Sequence, residues 1–138
     1  MLDFAKSTAR FGVARSLIAG LFLTTGLVKC TGAVDHGGLM AVVFGRGAVP
    51  AQVVLGIVEV VAAVCLLSTA WRRGLYLALV ILVVGCGFFA WRFFAGSAVR
   101  CGCLGPVLLG PNEHAAILAA GLLLVSYVLC RDRQPTRS

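Results

Sequence analysis

From Ala51 to Ala95 the only charged side chains are Glu59, Arg72, Arg73 and Arg92. A helix needs about 20 mostly apolar residues to cross the hydrocarbon of a bilayer, so this stretch has room for two crossings divided near Arg72-Arg73. A small globule needs a polar shell and cannot hide such a run. Of the 138 residues 60% are apolar and 12% charged, against about 25% charged in soluble domains. A soluble enzyme, a disordered tail and a nucleic-acid-binding domain are excluded together. The net charge of +7 does not reopen the nucleic-acid reading, because Lys and Arg fall between apolar runs and form no continuous basic face.

The sequence therefore predicts an all-α protein, a four-helix transmembrane bundle in a single integral membrane domain over residues 1–138. The expected spans are residues 11–28, 51–70, 74–95 and 113–130. The first contains Arg15 and is the least apolar. A cleaved signal peptide is the alternative for it, but no small-x-small cleavage pattern occurs at Gly26-Leu27-Val28-Lys29-Cys30, and Lys29 before Cys30 argues against a lipoprotein anchor. Pro50 suits the start of the second span, and Pro111-Asn112-Glu113 supplies a stop, an N-cap and a first-turn acid for the fourth. Trp71-Arg72-Arg73 is expected to be the whole link between the second and third. Ala115/Ala119 and Ala116/Ala120 fit close helix contact, or simply reflect an alanine-rich span.

Charge sets the expected orientation. With four spans, Lys6, Arg10, Arg15, Arg72, Arg73, Arg131, Arg133 and Arg137 share one side, while Lys29, Arg46, Arg92 and Arg100 share the other. Basic residues concentrate in cytoplasmic loops, so both termini are expected in the cytoplasm of a bacterium, the chain being multi-pass in its inner membrane. The connections after Lys29 and after Ala95 then face the periplasm. In the first of them, Leu39–Phe44 is too short to span and is compatible with lying on the membrane surface.

The outward side carries the candidate chemistry. Of six cysteines, Cys65 and Cys130 read as small apolar fillers. Cys101-Gly102-Cys103 is sharper. Two residues apart, the Cα atoms are at most about 7 Å from each other, and a bend at Gly102 brings the thiols into disulfide range. So small a ring is strained, and strained exposed disulfides are labile and oxidising. Arg100 favours the thiolate. Redox activity, soft-metal binding and an inert role are the three readings of this turn. Cys30 ends the first span on the same side, either as a third exchanging thiol or as an interface residue.

Glu59 is the other candidate, since a carboxyl inside a span is a functional hypothesis by default. It falls about 12 Å from the outer end of its span, level with Cys86 in the third. Glu59 is thus either a proton donor or acceptor facing Cys86, or a structural group hydrogen-bonded to Thr24 or Thr25. His114 opens the fourth span as a proton relay or an interface residue.

Three segments carry a resemblance to a family: Gly26-Leu27-Val28-Lys29 closing the first span, Pro50 followed by Glu59 in the second, and Arg100-Cys101-Gly102-Cys103-Leu104-Gly105 before the last. Over about residues 11–130 the chain resembles the MauE/DoxX-like redox-associated membrane proteins. The resemblance implies a four-helix membrane protein assisting thiol–disulfide chemistry outside the cytoplasm, with Cys101 and Cys103 as the redox pair and Glu59 as a family carboxyl. It implies as partner a thioredoxin-like or disulfide-containing extracytoplasmic protein, and a quinone as the cofactor by analogy with quinone-linked relatives. Two other functions compete. One is a soft-metal carrier for copper or mercury, with Cys30, Asp35, His36 and His114 as conceivable further ligands. The other is an accessory subunit of a larger membrane complex with no chemistry of its own.

Overall fold

The computed structural model describes residues 2–31, 39–94 and 111–132. Among them every element is helical: α1 Leu2–Cys30, a short α2 Leu39–Phe44, α3 Ala48–Leu67, α4 Trp71–Phe94 and α5 Pro111–Asp132. Three of these contain stretches long and apolar enough to cross a membrane, namely Gly12–Cys30, Gly45–Leu67 and Trp71–Trp91, while the apolar part of α5, Ala115–Arg131, is shorter. The helical surfaces support the membrane assignment. Leu17, Val54, Val64, Val80 and Leu123 are each more than half exposed, an outward apolar face that suits lipid rather than water.

Several boundaries differ from expectation for local reasons. Leu39–Phe44, whose helicity the sequence leaves open, is helical and runs through the turn Gly45–Gly47 into α3, with Gly45 at φ 52°, a left-handed angle that glycine takes without strain. Pro50 therefore lies in the first turn of α3, where its missing N–H has no intrahelical acceptor to lose. The link between α3 and α4 is Ser68-Thr69-Ala70, not Trp71-Arg72-Arg73, which form the first turn of α4. Ser68 closes α3 by donating from its hydroxyl to the Cys65 carbonyl at 2.9 Å, and the same oxygen accepts the Ala70 N–H at 3.1 Å. Pro111 begins α5, so Asn112 is a helical residue rather than the cap.

Neighbouring long helices run antiparallel. Gly26 faces Gly56 and Cys30 reaches Val53, while Leu82 packs near Gly121 and Gly85 near Leu118. The apolar core takes Ile18 and Phe22 from α1, Leu66 from α3, Leu75 from α4, and Val125 and Val128 from α5. The alanine pairs of α5 do not make its contacts: Ala116, Ala119 and Ala120 are exposed, and Leu118, Val125 and Val128 face inward. Arg15, the charge that weakened the first span, lies with its guanidinium 5.4 Å from the centre of the Trp71 ring. Arg72 lies 5.5 Å from the same ring, and both cations gain attraction from the aromatic face.

Candidate functional site

The inward face of α3 reads Ala48, Gln52, Gly56, Glu59, Ala63 and Leu66, the three- and four-residue spacing of one helical stripe. Gly56 meets Gly26 of α1 on this stripe. A Cβ added to Gly26 would lie 2.7 Å from the Gly56 carbonyl oxygen, and one added to Gly56 would lie 2.7 Å from the Gly26 oxygen. Any larger side chain must push the two backbones apart. The small residues let the helices touch, as they do in packed transmembrane helices.

Close approach brings together what lies three residues further along each helix. Gly26-x-x-Lys29 and Gly56-x-x-Glu59 present a cation and a carboxyl at the same crossing, and Lys29 donates from Nζ to Glu59 Oε1. Both are nearly sealed, Lys29 at 1% exposure and Glu59 at 4%. Lys29 also sits in the last turn of α1, where the carbonyl end of a helix favours a cation. The second carboxylate oxygen, Oε2, has no hydrogen-bond partner among the described residues. Thr25 presents its hydroxyl to the Glu59 carboxyl, as one reading of the sequence expected, and the same hydroxyl lies 3.0 Å from the Leu21 carbonyl and 3.3 Å from that of Phe22. Thr24 is turned outward and donates to Gly20.

This arrangement corrects two expectations. Lys29 is not a loop charge at the outer surface but one half of a buried pair. Glu59 does not face Cys86; it faces Lys29, and Gly85 rather than Cys86 lines the cavity beside it. Lys29 as a partner escaped the sequence reading, although the matched spacing of Gly26-x-x-Lys29 and Gly56-x-x-Glu59 was a usable signal for it. Cys30 is exposed at the end of α1, its Sγ 4.0 Å from the Val53 carbonyl oxygen. Cys101 and Cys103 lie outside the described residues, as do Asp35 and His36. The connection that carries the Cys-Gly-Cys sequence leaves α4 at Phe94 and enters α5 at Pro111, so its attachment points are at the end of the bundle where α1 finishes. Among the residues described, no three His, Cys, Asp or Glu side chains cluster as metal ligands.

A family model described as methylamine utilisation protein MauE matches residues 7–131. The chain belongs to the MauE family. Of the two names in the MauE/DoxX-like resemblance, this match carries MauE. It takes in most of α1, the whole of α2, α3 and α4, and nearly all of α5, and so includes the Lys29–Glu59 crossing and the Cys101-Gly102-Cys103 sequence within one MauE domain. No curated protein and no solved structure matches the chain.

Proposed function

We propose that this MauE-family membrane protein is a thiol–disulfide redox protein acting on an extracytoplasmic partner through Cys101 and Cys103. The single observation that carries the reading is the Cys101-Gly102-Cys103 sequence inside the matched family region, on a connection anchored at the Lys29–Cys30 end of the bundle. In the oxidising direction a thiolate of the partner attacks the Cys101–Cys103 disulfide and forms a mixed disulfide. The partner's second thiolate resolves it, leaving the partner oxidised and both cysteines of the pair reduced. Restoring the pair requires a sink for two electrons and two protons, which a membrane quinone supplies. Cys30, exposed at the end of α1, would serve as an auxiliary thiol.

Orientation supports a periplasmic site. With Lys29 withdrawn from the loops, eight basic residues on the side of the termini stand against three, Arg46, Arg92 and Arg100, on the other. The excess favours cytoplasmic termini in a bacterial inner membrane, with the cysteines outside, where disulfides persist.

Thiol trapping in intact cells tests the reading. A bulky maleimide added before and after mild reduction should reveal a reducible Cys101–Cys103 disulfide, and Cys101→Ser should accumulate a mixed disulfide with the partner through Cys103. A pair that stays reduced under all conditions, with the Cys101→Ser/Cys103→Ser variant behaving as wild type, rejects it. Isolating the mixed disulfide in mild detergent would also identify the partner.

A further inference from the structure

At the end of the bundle opposite Cys30, Ser68-Thr69-Ala70 joins α3 to α4. An open depression of about 520 Å³ lies at this turn, lined by Thr69, Ala70, Trp71, Arg72 and Arg73. The turn is tightly held: a Cβ on Gly74 would lie 2.6 Å from the Leu66 backbone nitrogen, so α3 and α4 touch beside it. The apolar stretches it joins stop at Leu67 and resume at Trp71. The depression therefore lies where hydrocarbon gives way to headgroups, the depth that a tryptophan at a span end favours.

Cations converge here from two helices. The guanidinium groups of Arg15 on α1 and Arg72 on α4 lie 5.4 and 5.5 Å from the centre of the Trp71 ring, and Arg73 lines the same depression. Neither Arg15 nor Arg73 has a carboxylate partner among the described residues. Like charges gathered around one ring repel each other, and more strongly at the edge of hydrocarbon than in bulk water. An anion with several oxygens offsets that repulsion and accepts charge-assisted hydrogen bonds from guanidinium groups.

The surface below the cations identifies the anion. From Arg73 the outward face of α4 continues through Tyr76, Val80 and Val84, all exposed, at the three- and four-residue spacing of one helical stripe. Leu67, just before the turn, is exposed as well. A cationic depression at headgroup depth above an apolar strip matches the two ends of an anionic phospholipid. A soluble phosphate would use the arginines and leave the strip without a role. Basic pockets between membrane helices hold anionic headgroups in this way.

We propose that the α3–α4 turn binds an anionic phospholipid, its phosphodiester at Arg72 and Arg73 within the field of Arg15, and its acyl chains along Tyr76 and Val80. The site lies at the end of the bundle away from Cys30 and is independent of the thiol chemistry.

Tryptophan quenching in vesicles tests this. Trp91→Phe leaves Trp71 as the one tryptophan of the full chain. In phosphatidylcholine vesicles, phosphatidylglycerol brominated high in its chains should quench Trp71 more than equally brominated phosphatidylcholine at the same mole fraction. Arg73 is exposed, so Arg73→Gln should fold as its parent, and it should weaken this preference about fivefold. Arg73→Lys should keep most of it. Arg131→Gln removes a charge at the same end, one held against Tyr127 of α5, and should change the preference less than twofold. Excess soluble glycerol phosphate should not displace the lipid. Equal quenching by the two lipids, or an undiminished preference in Arg73→Gln, overturns the proposal. So does an equal fall in Arg131→Gln, the mark of a diffuse field, or displacement by glycerol phosphate, which would assign the depression to a soluble phosphate.

Discussion

The α1–α3 crossing and the α4–α5 contact are built on opposite principles. At the first, the carbonyl oxygens of Gly26 and Gly56 occupy the space a side chain would need, and the pair beyond them is charged. At the second, a Cβ on Gly121 would come 3.3 Å from the flexible end of Leu82, and neighbouring contacts are aliphatic. Lipid tails solvate leucine as well as another helix does, so apolar contacts between membrane helices specify little beyond shape. The charged pair is different, because hydrocarbon offers it no substitute partner. Register and pairing in this bundle therefore reside at the α1–α3 crossing, and the α4–α5 contact fills space.

Removing one charge tests this difference most severely. Lys29→Met or Glu59→Leu alone should cost about 3–5 kcal/mol, because each strands its partner in a buried site, and unfolding by detergent titration should show it. The double variant Lys29→Met/Glu59→Leu should recover most of that loss. Full additivity of the two losses would show that the residues do not act as a pair. Gly26→Val comes next, at about 1–3 kcal/mol, because backbone on both sides must move, and crosslinking between cysteines placed on α1 and α3 should fall with it. On the other contact, Leu82→Ala should cost only about 1 kcal/mol, through the space it leaves rather than through lost transfer from water. A loss at Leu82 as large as that at Lys29 would erase the contrast. Smallest is Gly87→Ala, where nothing lies within 4 Å of the added carbon; its melting behaviour should stay within about 0.5 kcal/mol of wild type.

The long helices were legible because hydropathy over about 20 residues is a property of composition alone. Glu59 stood out for the same reason, as the one acid in a long apolar run. Its partner was hidden by position: Lys29 lies at the end of a span, where a lysine ordinarily marks the water boundary, and only the meeting of Gly26 with Gly56 buries it. That meeting depends on two glycines 30 residues apart, and hydropathy does not register a missing side chain. Depth counting paired Glu59 with Cys86 because it treats helices as vertical rods and says nothing about which faces turn inward. Leu39–Phe44 was legible only as an apolar stretch too short to span, and its helical form and continuation through Gly45–Gly47 into α3 depend on a backbone angle at Gly45 that no periodicity reports.

The burial of Lys29 also bears on how the chain enters its membrane. Lys29 leaves the ribosome 30 residues ahead of Glu59, roughly 2–6 seconds earlier at ordinary rates of synthesis. A lysine costs about 2.5–3.5 kcal/mol at the centre of a membrane helix on insertion scales and less near its end, where the side chain snorkels to the interface, and Lys29 lies in the last turn of α1. During that interval α1 has a lysine and no counter-ion, and its end is held best at the membrane surface or inside the insertion machinery. The arrival of α3 lets it settle, so the second long helix completes the insertion of the first.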